Sequence, residues 1–143
     1  MAGAHRVPAT RSLASLVRMD AAALKELCLS FPGAREEFPF GERNSVFTVA
    51  GRMFALTPLA QRPLRVSLKC DPDLAVQLRH DHPAITGGYH LNKRHWNTVV
   101  LDGSVPDTLV TEMVEDSYDL VVAGLPRREQ EKLHWIGLSA GDP

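Results

Sequence analysis

The chain has 143 residues, the size of one ordinary domain. Apolar residues make up 44% and charged residues of both signs 23%, which excludes global disorder and allows a real core. The formal net charge of −1 excludes a uniformly basic nucleic-acid binder, so any cationic surface has to be local.

Residues 1–18 carry Arg6, Arg11 and Arg18 and no acid, a composition similar to that of an organellar transit peptide. They read instead as a leader, either disordered or upstream of the true start, because a clear helix begins just after Met19-Asp20. Asp20 is a good N-cap, and Leu24, Leu27, Cys28 and Phe31 recur on one helical face until Pro32-Gly33 stops the run.

Ser45–Val49 and Met53–Leu56 form two strands joined by a tight turn at Ala50-Gly51, and Gln61-Arg62-Pro63 forms a loop. In Arg65–Cys70 apolar and polar residues alternate, which turns Val66, Leu68 and Cys70 to the core and Arg65, Ser67 and Lys69 to solvent. Asp71-Pro72 opens a second helix whose inner face is Leu74 and Leu78 and which ends near His80. Gly87-Gly88 marks a bend, and Trp96–Leu101 is a further strand.

Pro106 opens the long helix. Its buried stripe is Leu109, Val110, Met113, Val114, Ser117, Leu120 and Val121; Glu112, Glu115, Asp116 and Asp119 lie mostly on the wet side. Gly124 closes it, and Pro126 restarts a short helix through Glu131. The order helix, three strands, helix, one or two strands, helix describes an α+β fold: an antiparallel sheet packed against helices. The expected organisation is one domain over 19–132, with 133–143 as a tail.

Cys28 and Cys70 belong to no paired or clustered motif. They read as reduced, buried thiols and suggest a cytoplasmic setting. No apolar run reaches the roughly 18–20 residues of a membrane helix, so no membrane partner is expected. There is no phosphate loop, nucleophile elbow or HExxH motif, so no catalytic residues are assigned and an enzyme is not expected. His80, His82, His90 and His95 lack the cysteines or carboxylates of a zinc site, and no metal or other cofactor is assigned.

Three stretches resemble the MmcQ/YjbR family, of the YjbR/CyaY-like superfamily. They are Phe31-Pro32-Gly33-Ala34; Leu68–Pro72 followed by Gly88–Asn97; and Ser117-Tyr118 with Leu120–Pro126. The likeness runs over about residues 20 to 132 and implies a compact sandwich similar to the frataxin-like fold. It also implies DNA binding through a double-wing arrangement of hairpins.

The charge distribution gives that implication a place. Residues 60–97 hold six bases and three acids, a net +3, whereas residues 102–132 hold three bases and eight acids, a net −5. The expected DNA-contact set is Arg65, Lys69, His90, Asn92, Lys93, Arg94, Trp96 and Asn97. Arg and Lys would meet phosphate, the asparagine amides base edges, and Trp96 an unpaired base. Two alternatives stand beside it: a protein-interaction or chaperone-like adaptor using the acidic helix or an apolar patch, and a small-molecule binder near Tyr89, His90 and Trp96.

Overall fold

The computed structural model describes residues 19–141, so the leader expected over 1–18 lies outside the described residues. The elements are α1 (Ala21–Leu29), β1 (Ala34–Glu37), β2 (Ser45–Val49), β3 (Arg52–Thr57), β4 (Arg65–Lys69), α2 (Pro72–Asp81), β5 (Ile85–Gly87), β6 (Trp96–Val100), α3 (Asp107–Ala123) and α4 (Arg127–Gly141). The six strands form one antiparallel sheet in the order β1-β2-β3-β4-β6-β5. The fold is α+β.

Sequence punctuation accounts for most of the boundaries. Asp20 caps α1 by accepting from Ala23 N at 2.8 Å. Asp71 caps α2 by accepting from the amides of Asp73 and Leu74, with Pro72 in the first turn. Ala50 and Gly51 both take positive φ (50° and 79°), the primed geometry that matches strand twist in a two-residue hairpin.

The register divides the sheet into two faces. Phe47, Ala55, Val66, Leu68, Val99 and Ile85 point to one side, where they share a single core with Leu24, Leu27 and Cys28 of α1, Ala75 and Leu78 of α2, and Val110, Val114 and Val121 of α3. Arg65, Ser67 and Lys69 of β4, with Trp96 and Thr98 of β6, point to the other side. Every described helix that joins the core does so from the first side.

Several expectations are corrected. β1 was missed because Ala34-Arg35-Glu36-Glu37 is rich in residues that strands disfavour. It is a strand because Glu36 accepts from Ser45 Oγ (2.7 Å) and Glu37 from Thr48 Oγ1 (3.2 Å), while Lys25 of α1 pairs with Glu36 at 3.2 Å. Ser67 is buried rather than solvated, its hydroxyl 2.7 Å from that of Thr98. In α2 the inner residue is Ala75, not Leu74, because the sheet comes close enough for Asn97 Nδ2 to donate to the Ala75 carbonyl (3.3 Å); Leu74 is exposed.

On α3, Leu120 is exposed while Glu115 and Tyr118 are buried. Tyr118 turns inward because its ring stacks on Phe31 (4.7 Å, 16°) and meets Phe54 edge-on, and its hydroxyl donates to the Pro32 carbonyl. The final helix does not stop at Glu131 but continues to Gly141. Leu133 supports it from within, lying so close to Gly33 that a Cβ there would sit 2.5 Å from Leu133 Cδ2; Gly33 also has φ +73°.

One polar joint ties the layers together. Ser117 Oγ accepts from Lys69 N (2.8 Å) and donates to the Phe54 carbonyl (2.5 Å), and it is fully buried. Ser117→Ala removes the partner of two backbone groups at once. Leaving buried groups unpaired costs about 1–3 kcal/mol each. We expect a loss of about 2–4 kcal/mol in urea denaturation, against a negligible change for Ser104→Ala in its exposed turn. Equal effects of the two substitutions would discount the joint.

Candidate functional site

The eight residues of the expected DNA-contact set divide into three groups. Arg65, Lys69 and Trp96 share the sheet face that carries no described helix, with Lys69 and Trp96 directly paired across β4 and β6. All three side chains are partly exposed. The loop from Gly88 to His95 brings Tyr89 and His90 to the same region. Tyr89 N donates to Thr98 Oγ1 (3.0 Å), which fixes the loop against that face. The Arg65 guanidinium carbon stands 5.8 Å from the Tyr89 ring centroid, within cation–π range. The His90 ring centroid is 4.0 Å from that of Tyr89.

Lys93 and Arg94 sit further round the loop. The Lys93 stem crosses the position where a Gly87 side chain would stand, and its Nζ donates to the Gly88 carbonyl (3.2 Å). Gly87 pairs with Asn97, so Lys93 lies toward the helix side of the edge strand rather than beside Lys69. Arg94 is exposed. Asn92 spends its amide oxygen locally, accepting from Arg94 N at 2.9 Å in an Asx turn.

Asn97 leaves the contact set. It is completely buried; its Oδ1 accepts from Arg79 Nη1 (2.7 Å) and its Nδ2 reaches the Ala75 carbonyl. The same Arg79 nitrogen donates to the Lys93 carbonyl (3.0 Å), so this cation, counted in the basic stretch, is a clamp between α2 and the loop. Arg35 of β1, opposite Thr48, points to the same face but lies three strands from β4 and shares that face with Glu37, so it stays outside the group.

The patch is cationic because its bases form no ion pair among the described residues. Ion pairs among the described residues engage Lys25, His80, Arg127 and Lys132, and none takes Arg65, Lys69, Lys93 or Arg94.

Other chemistry is confined. Among the described residues, no three His, Cys, Asp or Glu side chains converge as a metal ligand set. A shallow cavity of about 300 Å³ is lined by Met19, Asp20, Ala21, Arg62, Pro63, Leu64 and Leu101, at the far end of β4 and β6 from Trp96. No described helix is long and apolar enough to cross a membrane.

Comparison with known proteins identifies the family. The YjbR family model matches residues 29–120. The chain belongs to the YjbR family. It is 35% identical over 115 residues to the uncharacterized protein YjbR of Escherichia coli K12, covering 80% of this chain and 98% of that one. It is 33% identical to the uncharacterized protein YbdF of Escherichia coli O157:H7, covering 76% and 89%. Among solved structures it resembles the Deinococcus radiodurans protein DR2400 (44% identity, TM-score 0.76, 80% and 88% covered). A Pseudomonas syringae protein matches with 25% identity and a TM-score of 0.62, covering 71% and 98%. The stretches that carry the YjbR likeness contain both the loop bearing Tyr89 and the Ser117 joint.

Both thiols are buried and held in the protonated form. Burial, with a smaller push from Glu36, raises Cys28 to about 12; burial, with Asp71 and Asp116 adding to it, raises Cys70 to about 11. A raised folded pKa contributes stability that is complete below the unfolded thiol value, about 8.5, and lost as pH rises through the folded values. Unfolding midpoints measured from pH 7.5 to 10.5 should hold steady and then fall above about pH 9. Cys70→Ala should flatten part of that fall; an unchanged slope would show that this thiol does not carry it.

Proposed function

We propose that this YjbR-family chain is a non-catalytic DNA-binding protein whose contact surface is the face of β4 and β6 that carries no described helix, together with the Gly88–His95 loop. The observation that carries the reading is a group of bases, Arg65 and Lys69 on the face and Arg94 on the loop, with no acidic partner among the described residues and beside exposed aromatic surface. Guanidinium and ammonium groups left unneutralised are suited to phosphate oxygens, and neutralising phosphates releases condensed counterions.

The surface is small, so binding draws on few phosphates and is sensitive to salt. The acidic stretch from Asp102 onward keeps the whole molecule near neutrality, which limits non-specific attraction to the basic side. A second reading, protein docking, is favoured by a different region: Trp135 and Leu138 on α4 are 69% and 53% exposed, an apolar surface of the kind that meets partners.

Fluorescence anisotropy with labelled single-stranded and duplex 20-mers at about 50 and 150 mM salt tests the DNA reading. Micromolar binding at the lower salt is expected, weakening as salt rises. Arg65→Ala/Lys69→Ala should lower affinity and reduce the salt slope by one to two, roughly the share of two phosphate contacts. Absence of binding at the lower salt, where electrostatic attraction is strongest, would overturn the reading.

A further inference from the structure

We infer that the site takes single-stranded DNA, and that Tyr89 is the platform on which a base stacks. The inference rests on the DNA-binding reading above and specifies which form of DNA that surface fits.

Tyr89 is 61% exposed although it sits between two fixed neighbours. Its backbone is pinned through Thr98, whose hydroxyl also meets Ser67 in the sheet. Its ring is held under Arg65 and against His90. His90 takes φ +60°, a left-handed conformation uncommon for a residue with a side chain, in a turn closed by Leu91 N donating to the Gly88 carbonyl (3.2 Å). The chain therefore bends to lift an aromatic ring onto the sheet face rather than to pack it in the core.

The surroundings match a polyanion with exposed flat rings. Arg65 and Lys69 lie four residues apart on one strand, about 13 Å along the face, with Arg94 exposed on the loop beyond. Trp96, the cross-strand partner of Lys69, adds a second, partly exposed ring on the same face. In duplex DNA the base faces stack on one another and are covered, leaving a protein ring nothing to lie on. A single strand offers a free face at every base, and stacking on an aromatic side chain tolerates any sequence. The guanidinium at Tyr89 also stands where it can meet the phosphate next to a stacked base.

The test compares a labelled 12-mer of deoxythymidine with a duplex of equal length for wild type, Tyr89→Ala, Tyr89→Phe, Tyr89→Leu and Arg65→Ala/Lys69→Ala, each checked for an unchanged melting temperature. Wild type should prefer the single strand. Tyr89→Ala and Tyr89→Leu should weaken single-strand binding about tenfold while leaving duplex binding unchanged, and Tyr89→Phe should keep wild-type affinity. Equal single-strand affinity in wild type and Tyr89→Ala, alongside a loss in the double charge variant, would overturn the stacking role and leave DNA binding standing. A preference for duplex would overturn it in the same way. No binding to either DNA would overturn both.

Discussion

The hydroxyl of Ser117 stands where the ladder between β3 and β4 would place its next rung. The register pairs Ala55 with Leu68 and Leu56 with Ser67, so Phe54 and Lys69 come next. Their backbone groups meet the Ser117 oxygen instead, which accepts from one strand and donates to the other. A helix side chain thus replaces a strand-to-strand bond, and α3 is fixed to the sheet at a defined depth. Beyond that point β4 stays attached to β6, with Cys70 N donating to the His95 carbonyl at 2.8 Å. The end of β4 that carries Lys69, and the loop that ends at His95, are therefore positioned from the core outward.

The three stretches that carry the YjbR likeness are largely joints of this kind. Phe31 and Pro32 receive the ring and hydroxyl of Tyr118, and Gly33 makes room for Leu133 of α4. Gly88 N donates to the Trp96 carbonyl, and Asn97 is locked between Arg79 and Ala75. Such residues define a fold with little freedom for change, whatever the surface above them does. This explains in physical terms why the family relationship specifies architecture more sharply than activity.

Much of the fold was legible because its punctuation is strong: capping aspartates, prolines in first turns, and a hairpin at Ala50-Gly51. β1 was not legible, since its strand character comes from partners on β2 and α1 and not from its own side chains. The candidate site was legible in composition but not in geometry. A run of polar residues from His90 to Asn97 does not reveal that Asn97 faces the helices and Trp96 the opposite side. Alternation implies that neighbours differ, yet which of them faces the core depends on the pairing of Leu68 with Asn97. Likewise nothing local marks Arg79 as a clamp, because its partners lie 14 and 18 residues away.

The two ends of the sheet have a further consequence. β5 is three residues long and runs straight into the loop, and β1 is four residues long with three of them charged. Short or charged borders give a neighbouring molecule little unpaired backbone to extend. The margins of the sheet thus discourage strand addition, domain exchange and fibre growth when many copies are crowded together.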